Sequence, residues 1–417
     1  MGDCPRVVIT GIGVVSPIGI GKDLFWKNLV AGTSGVGYIT AFDASRYPCP
    51  VAAEVKDFDP VNFMHPRRTA HRGRFSQFAV AAAKLALADS GLDLAQEHRN
   101  VAACIGTAMN GSGDVYETAR TQFEKSGFEG IPTMSGVEFA AHAAVSHISM
   151  ELGLRGQAIT MASACSTGLD AVQWGASEIQ QGRADVVFAG STEAAISEFC
   201  FATLCALGAL SKFNDPAIAA SRPYDLRRDG LVLAEGCAVF VLESIDHVQN
   251  RQAESNIYAE VLGFGTGNEG GFGTRINASE LALTEAILAG LRQADRTPSS
   301  LDYVNAHGNS LADYDLVETR AFRRALGPAA YNVPISSIKS MIGHAMGAAA
   351  ALQVASTCLT IRHSVIPPTI NYDTPDPECD LDYVPNVARV SRVRTALINA
   401  HAMGGTHSVL ILGTPST

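Results

Sequence analysis

The chain has 417 residues, of which 47% are hydrophobic and 17% charged, enough to bury the core of two domains or of one duplicated domain. Its formal net charge of −10 argues against nucleic acid or an acidic membrane as the main partner. The nine cysteines are scattered and form no C-x-x-C pair, so neither a zinc site nor a paired redox site is expected.

The N-terminal stretch MGDCPRVVITG lacks the apolar run of a secretory signal. No segment approaches the roughly 18 uninterrupted apolar residues of a membrane helix. Scattered free thiols are typical of a reducing compartment. The sequence therefore predicts a cytoplasmic protein that binds no membrane.

The first half of the chain predicts buried strands that alternate with helices. The strand RVVITGIGVV ends in a Gly-x-Gly turn and precedes the helical pattern FSQFAVAAAKLALADSGL. The strand NVAACIG follows, and then a large insertion at about residues 106–150. The stretch QAITMASACSTGLDAVQWGASEIQQG predicts a strand, a turn of small residues and a long helix, and the strands ADVVFAG and CAVFVLE complete the half.

The second half repeats this design from the strand YAEVLGFGTG onward. The helix ELALTEAILAGLRQA and the strand LDYVNAHGNS come next, and VPISSIKSMIGHAMGAAAALQVASTCL is the counterpart of the earlier strand–turn–helix unit. The strands RTALINAHAMGG and SVLILG close the chain. The pattern predicts an α/β protein with two duplicated halves, residues 1–254 and 255–417.

Among the nine cysteines, Cys165 has the setting of a reactive thiol. It stands in ASACSTG, where an apolar strand leads into a long helix. The unsatisfied N–H groups and positive dipole of a helix start would stabilise a thiolate and lower the pKa of the thiol. A packed cysteine at a helix start is the alternative interpretation.

Two of the eleven histidines stand near predicted strand ends. His307 lies in NAHGNS, and His344 lies in KSMIGHAMG, the counterpart of the cysteine turn. Duplication would direct both of them toward the cleft that also holds Cys165. A single histidine beside a glycine is more often structural, but two histidines and a cysteine at matching strand ends favour a catalytic group.

The chain resembles the elongating β-ketoacyl-acyl-carrier-protein synthases, condensing enzymes of the thiolase superfamily, along essentially its whole length. The matching motifs are ASACSTGLDA, ASRPYDLRRDGLVLAEG, YVNAHG, SSIKSMIGHAMGAA, VIPPTIN and AMGGTH. The stretches FDASRYPCPVAAEVKDFDP and DPECDLDYVP look especially like the α ketosynthases of type II polyketide systems. The resemblance implies a thiolase-like fold, with βαβαβαββ halves in five layers, α-β-α-β-α. The N-terminal half would carry the nucleophile and the C-terminal half both histidines.

The resemblance also implies a decarboxylative Claisen condensation. Cys165 would hold the acyl group as a thioester, and the backbone N–H groups of Cys165 and Met403 would form an oxyanion hole. His307 and His344 would hydrogen-bond the malonyl thioester oxygen as the carboxylate leaves.

Lys339 falls where the family has its lysine, five residues before the second histidine. A buried lysine needs a carboxylate partner, and Asp315 and Glu318 occupy positions that could supply one. An exposed salt bridge is the alternative interpretation.

Several positions depart from the family's pattern. Asn309 and Leu311 stand in the region that usually faces the phosphopantetheine arm with hydroxyl side chains. Gln353 replaces an acidic residue of the lysine network, and Met403 stands at a gate that is usually phenylalanine. Met109 falls where acyl-chain length is often set, so its bulk would shorten the acyl pocket.

The partners implied by the resemblance are an acyl carrier protein, whose phosphopantetheine carries the substrates, and a second subunit. The dimer would be a homodimer or a heterodimer with a ketosynthase-like β subunit, with no bound cofactor or metal. Carrier proteins are acidic, so a basic cluster is a candidate docking site, although an ordinary solvated basic face explains it equally well. The cluster consists of Arg67, Arg68, Arg72 and Arg74.

Three other functions compete with polyketide extension. The first is fatty-acid elongation by the same chemistry. The second is a non-catalytic chain-length partner, but such partners usually lack the nucleophile that Cys165 supplies. The third is a cysteine hydrolase, which would need a site that admits water and a histidine base paired with the thiol.

Overall fold

The computed structural model describes residues 5–69, 72–97, 101–270 and 280–415, so Cys4 lies outside the described residues. The strands of the first half are β1 (Val7–Ser16), β2 (Gly19–Ile20), β3 (Gly37–Tyr38), β4 (Val51–Ala52), β5 (Val101–Gly106), β6 (Ala158–Ile159), β7 (Val186–Glu193) and β8 (Gly236–Ser244). Those of the second half are β9 (Ala259–Asn268), β10 (Tyr303–Asn305), β11 (Ile335–Ser336), β12 (Val365–Ile366), β13 (Arg389–Val390), β14 (Thr395–Ala402) and β15 (Thr406–Gly413).

The α-helices connect and cover these strands. In the first half they are α1 (Lys22–Val30), α2 (Pro66–Thr69), α3 (Arg74–Ser90), α4 (Leu94–Glu97), α5 (Asp114–Ser126), α6 (Ser135–Glu138), α7 (Ala143–Leu152), α8 (Thr167–Gln180), α9 (Glu198–Leu207) and α10 (Ile245–Asn250). In the second half they are α11 (Leu281–Gln293), α12 (Ala312–Leu326), α13 (Lys339–Ile342) and α14 (Ala349–His363).

The large sheet runs in the order β11-β10-β14-β15-β9-β1-β8-β7-β5-β6, with β2 added beside β1. Read outward from its middle, each side has the same arrangement: β1-β8-β7-β5-β6 on one side and β9-β15-β14-β10-β11 on the other. The inner pairs are antiparallel and the outer pairs parallel on both sides. Among the described residues, the strands of the two sides pair where Val7–Ile9 lies antiparallel to Ala259–Val261. The boundary near residue 254 itself stays a prediction.

The helices form three layers around these two sides of the sheet. Helix α3 packs on β1, β7 and β8 with α7 beside it, and α11 packs on β9 and β15 with α12 beside it. Helices α8 and α14 contact each other and lie between the two sides, since both touch strands of each side. The expected α/β class and five-layered arrangement are confirmed.

The central layer is built from small and apolar residues because it is covered on all sides. All residues of α14 from Ala349 to Ile361 are buried, including the polar Gln353, Ser356, Thr357 and Thr360, because the helix is covered on every side. The approach to α8 is closest at Gly168, where an added Cβ would lie 2.4 Å from the backbone nitrogen of Ala351. Only glycine allows the two helix starts to come so near.

Candidate active site

Cys165 lies in a short 3₁₀ turn, Ala164–Ser166, that opens directly into α8. Hydrogen bonds within the turn fix its shape: Thr167 Oγ1 accepts from the Ser163 N–H at 2.7 Å, and Ser166 Oγ donates to the Ser163 carbonyl at 2.8 Å. The turn contacts β14 and the 3₁₀ turn Met346–Ala348 that precedes α14. The thiol is buried, with 4% of the residue exposed.

The expectation that the helix start lowers the pKa of Cys165 is wrong for the protein without substrate. Burial raises the pKa of this thiol to about 11, and the Glu193 carboxylate adds to the rise. The positive charge of Lys339 and hydrogen bonds from the N–H groups of Met403 and of Cys165 itself act in the opposite direction. Burial wins because a thiolate loses the solvation of water. The Met403 turn and the Cys165 turn lie in the same apolar cluster, with both N–H groups near the sulfur.

The structure brings His307 and His344 together, with ring centroids 5.3 Å apart and the rings nearly perpendicular. Both histidines are buried, and burial together with the charge of Lys339 lowers both pKa values well below the ordinary range. His307 Nδ1 faces the backbone N–H of His401 at 3.2 Å, and Nε2 faces the Asn309 amide nitrogen at 3.2 Å. The backbone donor cannot turn away whereas the side-chain amide can, so we assign the proton of the neutral ring to Nε2. The pair is therefore a set of neutral rings that can donate hydrogen bonds.

His344 follows α13 and is held by its backbone. Its N–H donates to the Val232 carbonyl at 2.7 Å, and its carbonyl accepts the Ala234 N–H at 3.0 Å. The side-chain Nδ1 is buried and has no hydrogen-bond partner in the described part of the chain. A catalytic role is one of the explanations for such an unsatisfied atom.

Glu318, on α12, holds the backbone around His307. Its carboxylate accepts the N–H groups of His307 at 2.8 Å and Gly308 at 2.9 Å, the Tyr224 hydroxyl at 2.6 Å and the Asn399 amide at 2.6 Å. Burial opposes ionisation, but these bonds and the nearby His401 lower the pKa of Glu318 to about 2. The carboxylate is therefore a fixed negative charge below the histidine pair.

Asp315, one turn earlier on α12, fixes the loop that follows His307. It accepts the N–H groups of Tyr224 at 2.9 Å and Asn309 at 3.0 Å, and Arg228 lies 3.5 Å away. Burial raises the pKa of Asp315 to about 6.

Lys339 is buried, but its hydrogen-bond partners differ from those expected. Its Nζ donates to the His307 carbonyl at 2.6 Å and to Gln353 Oε1 at 3.0 Å, rather than to Asp315 or Glu318. The two carboxylates act on it only through space, raising its pKa, while burial lowers that pKa to about 8. The position was right and the direct partner wrong, because both carboxylates are occupied by backbone N–H groups.

Gln353, on α14, is the neutral partner that completes this contact. Its Nε2 donates to the carbonyl oxygens of Asn305 at 3.1 Å, Ala306 at 2.9 Å and Asn399 at 3.2 Å. An amide fits here because it presents one acceptor to Lys339 and N–H donors to the three carbonyls.

Asn309 and Leu311 lie on the loop between His307 and α12. Asn309 Nδ2, a donor, is 3.2 Å from His307 Nε2, and Asn309 Oδ1 accepts the Leu311 N–H at 3.0 Å. Asn309 is thus in contact with the histidine itself, which the sequence did not indicate. Leu311 is half-buried against the apolar cluster that surrounds Cys165.

That apolar cluster forms the wall beside the thiol. Met109 and Met403 are half-buried members of it, and its buried members include Phe201, Leu204 and Met346. The backbone N–H of Met109 is bound by Glu193, which also accepts the N–H groups of Ala108 at 2.8 Å and Gly347 at 3.2 Å. Glu193 therefore joins the loop after β5 to the turn after His344. Burial raises the pKa of this carboxyl to about 7.

Sequence reasoning missed Glu193, His401 and His407. Glu193 ends β7, and the two histidines pair across the hairpin of β14 and β15. The available signal was the glycine turn in NAHAMGGTH, which predicts a hairpin and so places the two histidines opposite each other.

The four arginines do not form one exposed face. Arg67 and Arg68 are exposed, with Arg68 paired to Glu151 at 2.6 Å. Arg72 also binds Glu151, and Arg74 binds Glu235 at 2.7 Å while covering the rings of Phe58 and Phe78. Residues 70 and 71 of this stretch lie outside the described residues. Only Arg67 and Arg68 remain exposed for a partner.

No group of three or more His, Cys, Asp or Glu side chains in the described ranges is arranged to hold a metal ion. No helix within those ranges is both long and apolar enough to cross a membrane.

Two family models cover most of the chain. The model of the beta-ketoacyl synthase N-terminal domain matches residues 5–247, and that of the C-terminal domain matches residues 258–373. The tetracenomycin polyketide synthase ketoacyl synthase alpha subunit of Streptomyces glaucescens is 44% identical over 98% of this chain and 97% of its own. The 3-oxoacyl-(acyl-carrier-protein) synthase 2 of Coxiella burnetii is 39% identical over 98% of each chain.

Two solved structures have the same fold at 33% identity, and each match covers 99% of this chain and 100% of the other. One is a ketosynthase bound to the hexaketide in complex with its type II PKS acyl-carrier protein, AntDE:AntF, with a TM-score of 0.91. The other is the ishigamide ketosynthase/chain length factor, with a TM-score of 0.92.

Proposed function

The chain belongs to the beta-ketoacyl synthase family of condensing enzymes, and on that premise we propose that it is the ketosynthase α subunit of a type II polyketide system. The residue roles proposed below rest on one observation: the buried turn that carries Cys165 contacts both β14, which leads into the Met403 turn, and the turn that follows His344. Beside it stand two neutral, buried histidines.

Acyl transfer is the first step of the proposed reaction. The Cys165 sulfur attacks the carbonyl carbon of an acyl thioester on the carrier's phosphopantetheine arm, and the bond from that carbon to the arm sulfur breaks. The thiol proton goes to the departing arm sulfur. The Met403 and Cys165 N–H groups stabilise the negative oxygen of the intermediate, and one such donor is worth about 3–4 kcal/mol. Because the thiol is protonated in the free protein, this stabilisation must offset the high pKa of Cys165.

Condensation is the second step. A malonyl thioester loses its carboxylate as carbon dioxide, and the electron pair of the broken bond becomes an enolate. His307 and His344 donate hydrogen bonds to the enolate oxygen; for His307 the donor is the proton on Nε2. The enolate carbon attacks the acyl-Cys165 carbonyl, a carbon–carbon bond forms, and the thioester bond to Cys165 breaks. The thiolate then takes a proton, which restores the starting state.

The remaining residues of the site have supporting roles in this proposal. Lys339 supplies positive charge to Cys165 and binds the carbonyl of His307. Asp315 and Glu318 position the loop around His307. Met109 closes one wall of the acyl pocket, and Asn309 and Leu311 line the approach of the phosphopantetheine arm.

The polyketide assignment and the partners rest on the relatives. A polyketide alpha subunit is 44% identical to this chain, and solved neighbours include a ketosynthase with its carrier protein and a ketosynthase/chain length factor. We propose an acyl carrier protein as substrate carrier, with Arg67 and Arg68 in its docking surface, and a ketosynthase-like second subunit. No bound cofactor is needed for the steps above. The free, scattered cysteines suit a cytoplasmic location.

The test is incubation with malonyl-carrier and a panel of acyl-carriers, with and without a cysteine-less homologous subunit, followed by mass spectrometry. We expect an acyl adduct on Cys165 and a β-ketoacyl product that requires the second subunit. Cys165→Ala should abolish both, whereas Cys237→Ala, a change at a buried thiol in β8, should retain both. If this protein extended straight-chain acyl groups without the second subunit, the result would favour fatty-acid elongation. Absence of both adduct and product would refute the condensing assignment.

A further inference from the structure

Two histidines outside the proposed catalytic set form a buried line with two carboxylates. His401 Nε2 lies 3.2 Å from Glu318 Oε1, His401 Nδ1 lies 2.8 Å from His407 Nδ1, and His407 Nε2 lies 3.0 Å from Glu269 Oε1. Each histidine is 1% exposed, and the two carboxylate side chains are 0% and 5% exposed. We call these four residues the histidine array.

The three contacts of the histidine array decide how many protons it holds. Each contact needs one N–H, since neither a carboxylate oxygen nor a bare ring nitrogen can face another acceptor favourably when buried. Two neutral imidazoles carry only two N–H groups. One contact would then lie between two acceptors, or His401 Nε2 would have to accept from the Asn399 amide nitrogen at the longer distance of 3.4 Å. Three protons satisfy all three contacts, so one imidazolium is shared by the pair. A fourth proton would put two N–H groups against each other between the Nδ1 atoms. In agreement, burial and the neighbouring His401 lower the pKa of His407 to about 3, which opposes a second charge.

The histidine array connects the two parts of the active site. His401 and His407 face each other across the β14–β15 hairpin, and the turn between them carries Met403. Glu269 holds the tip of that turn a second time, through its backbone N–H to the Gly405 carbonyl at 2.9 Å. At the other end, Glu318 binds the backbone of His307 and Gly308. The His401 backbone also donates to His307 Nδ1, with the two rings 4.9 Å apart.

We propose that His401 is a positioning residue of the condensing site: by sharing one proton with His407 between Glu318 and Glu269, it holds the Met403 turn and His307 in register with Cys165. The inference rests on the proposed condensing function. Its physical basis is that charge-assisted bonds are shorter and about twice as strong as neutral ones. A small displacement of an oxyanion donor lowers rate far more than binding.

Among the described residues, the charged and titratable groups around the array come from α12, the loop after β10, the end of β9 and α8. Helix α12 contributes Glu318 and Tyr314, whose ring lies 6.3 Å from that of His401. The strand-end loop contributes His307, with Lys339 and His344 beyond it, and the end of β9 contributes Glu269. Helix α8 contributes Asp170, which binds Ser408 next to His407 at 2.6 Å. Among these described groups Lys339 is a cation on the Cys165 side, and the shared imidazolium adds positive charge beside the carboxylates of the array.

The first test counts protons in the unaltered protein. After labelling with ¹⁵N-histidine, NMR distinguishes bare ring nitrogens from protonated ones, and spectra of His401→Phe and His407→Phe assign the pair. We expect one bare nitrogen in the two rings, coupled through a hydrogen bond between the Nδ1 atoms. Two bare nitrogens would overturn the shared proton. This measurement stands even if the chain has no condensing activity, so it fails separately from the proposed function.

The second test measures kinetics. His401→Phe keeps a ring of similar size without nitrogens, and we expect kcat to fall by about tenfold or more while KM for malonyl-carrier changes by less than about threefold. His407→Phe should have a similar effect, and the double variant should be little worse than either alone, because both changes break one array. His363→Phe, at an exposed histidine stacked on Trp26, is the control and should leave kcat unchanged. The positioning role would be overturned if His401→Phe kept kcat within about twofold of the natural value, including the case in which only KM rises.

Discussion

Lys339 Nζ donates to the carbonyl oxygen of His307 across 2.6 Å, so the lysine charge is fixed beside the backbone of one proposed catalytic histidine. The same charge acts to lower the pKa of Cys165, against the larger opposite effect of burial. It also lowers the pKa values of His307 and His344 and so favours their neutral forms. One buried ammonium thus favours both the thiolate and the neutral histidines that the two steps require. Its protonation state should therefore limit the activity.

We expect condensing activity to fall as pH rises through about 8. Burial lowers the pKa of Lys339 to about 8, so above that pH the ammonium loses its proton and the thiol loses a stabilising charge. The measurement is kcat for condensation between about pH 6 and 10. Lys339→Met should be at least about tenfold slower, and its pH profile should lack the fall in kcat near pH 8, the alkaline limb. Lys84 lies on α3 and pairs with Glu151 on α7, and Lys84→Met should keep the pH profile of the natural protein. A limb near pH 8 that persists in Lys339→Met would contradict the assignment.

Gln353→Glu should shift the same alkaline limb upward and destabilise the fold. A carboxylate beside Lys339 favours its charged form, so the pKa of Lys339 rises. The new side chain also loses the N–H groups that satisfy three buried carbonyls, at about 1–3 kcal/mol for each group left unsatisfied. The pH profile and urea denaturation measure the two effects. Gln181→Glu, at an exposed position after α8, should change neither. An unchanged limb would mean that Gln353 does not set the charge of Lys339.

Glu193→Gln should reduce the loss of stability between about pH 4.5 and 7. Burial raises the pKa of this carboxyl from 4.5 to about 7, so over that interval the folded chain binds more protons than the unfolded chain. The resulting contribution is present at low pH and lost as pH rises, and it amounts to about 3 kcal/mol. The measurement is the free energy of unfolding at pH 4.5 and at pH 7. The difference between these two values should be smaller in the variant than in the natural protein by this amount. Glu124→Gln, at an exposed ion pair with Arg120, serves as control. Equal pH dependence in variant and natural protein would be inconsistent with a protonated Glu193.

Met109→Ala should allow longer acyl groups. The Met109 side chain packs in the apolar wall around Cys165, and its removal enlarges the space beside the acyl thioester. Competition between acyl-carriers of different length, analysed by mass spectrometry, should move the preferred chain upward in length. Met150→Ala, at an exposed methionine on α7, should leave the preference unchanged. An unaltered preference in Met109→Ala would place the end of the pocket elsewhere.

Arg67→Glu should weaken the use of carrier-bound substrates. A reversed charge on the exposed arginine would repel an acidic carrier, raising KM several-fold and leaving kcat nearly unchanged. The effect should shrink at high salt, because exposed charges are screened. Arg292→Glu, at an exposed position of α11 in the second half, is the matched surface control. A salt-independent KM, equal to that of the natural protein, would remove Arg67 from the docking surface.

The sequence was sufficient for the fold and for the positions of the central groups. The β-branched strand at the start, the glycine turns and the two strand–turn–helix units carried the duplicated pattern. Cys165, His307 and His344 followed from their places at strand ends, and the structure brings them into one region. Such features are visible because they depend on neighbours in sequence.

The properties that escaped prediction depend on distant neighbours. The pKa of Cys165 is raised rather than lowered because burial outweighs the helix start. Lys339 binds Gln353 and a backbone carbonyl because the N–H groups of His307, Gly308 and Asn309 already occupy Glu318 and Asp315. The line from Glu318 to Glu269 needs the hairpin register and two separate loops to form. A local motif does not show which of several possible partners a buried group will bind.

The contact between Gly168 and Ala351 also has a practical consequence for protein engineering. Two backbones touch there, one next to the thiol and the other next to the turn of His344, with no side chain between them to adjust. In chimeras that combine residues 1–254 of this chain with the later half of a relative, the fit at this contact should therefore decide whether the two halves pack correctly. In the reverse chimera, a first half with any residue larger than glycine at the position of Gly168 would push the backbone of Ala351 away and so separate nucleophile from histidine.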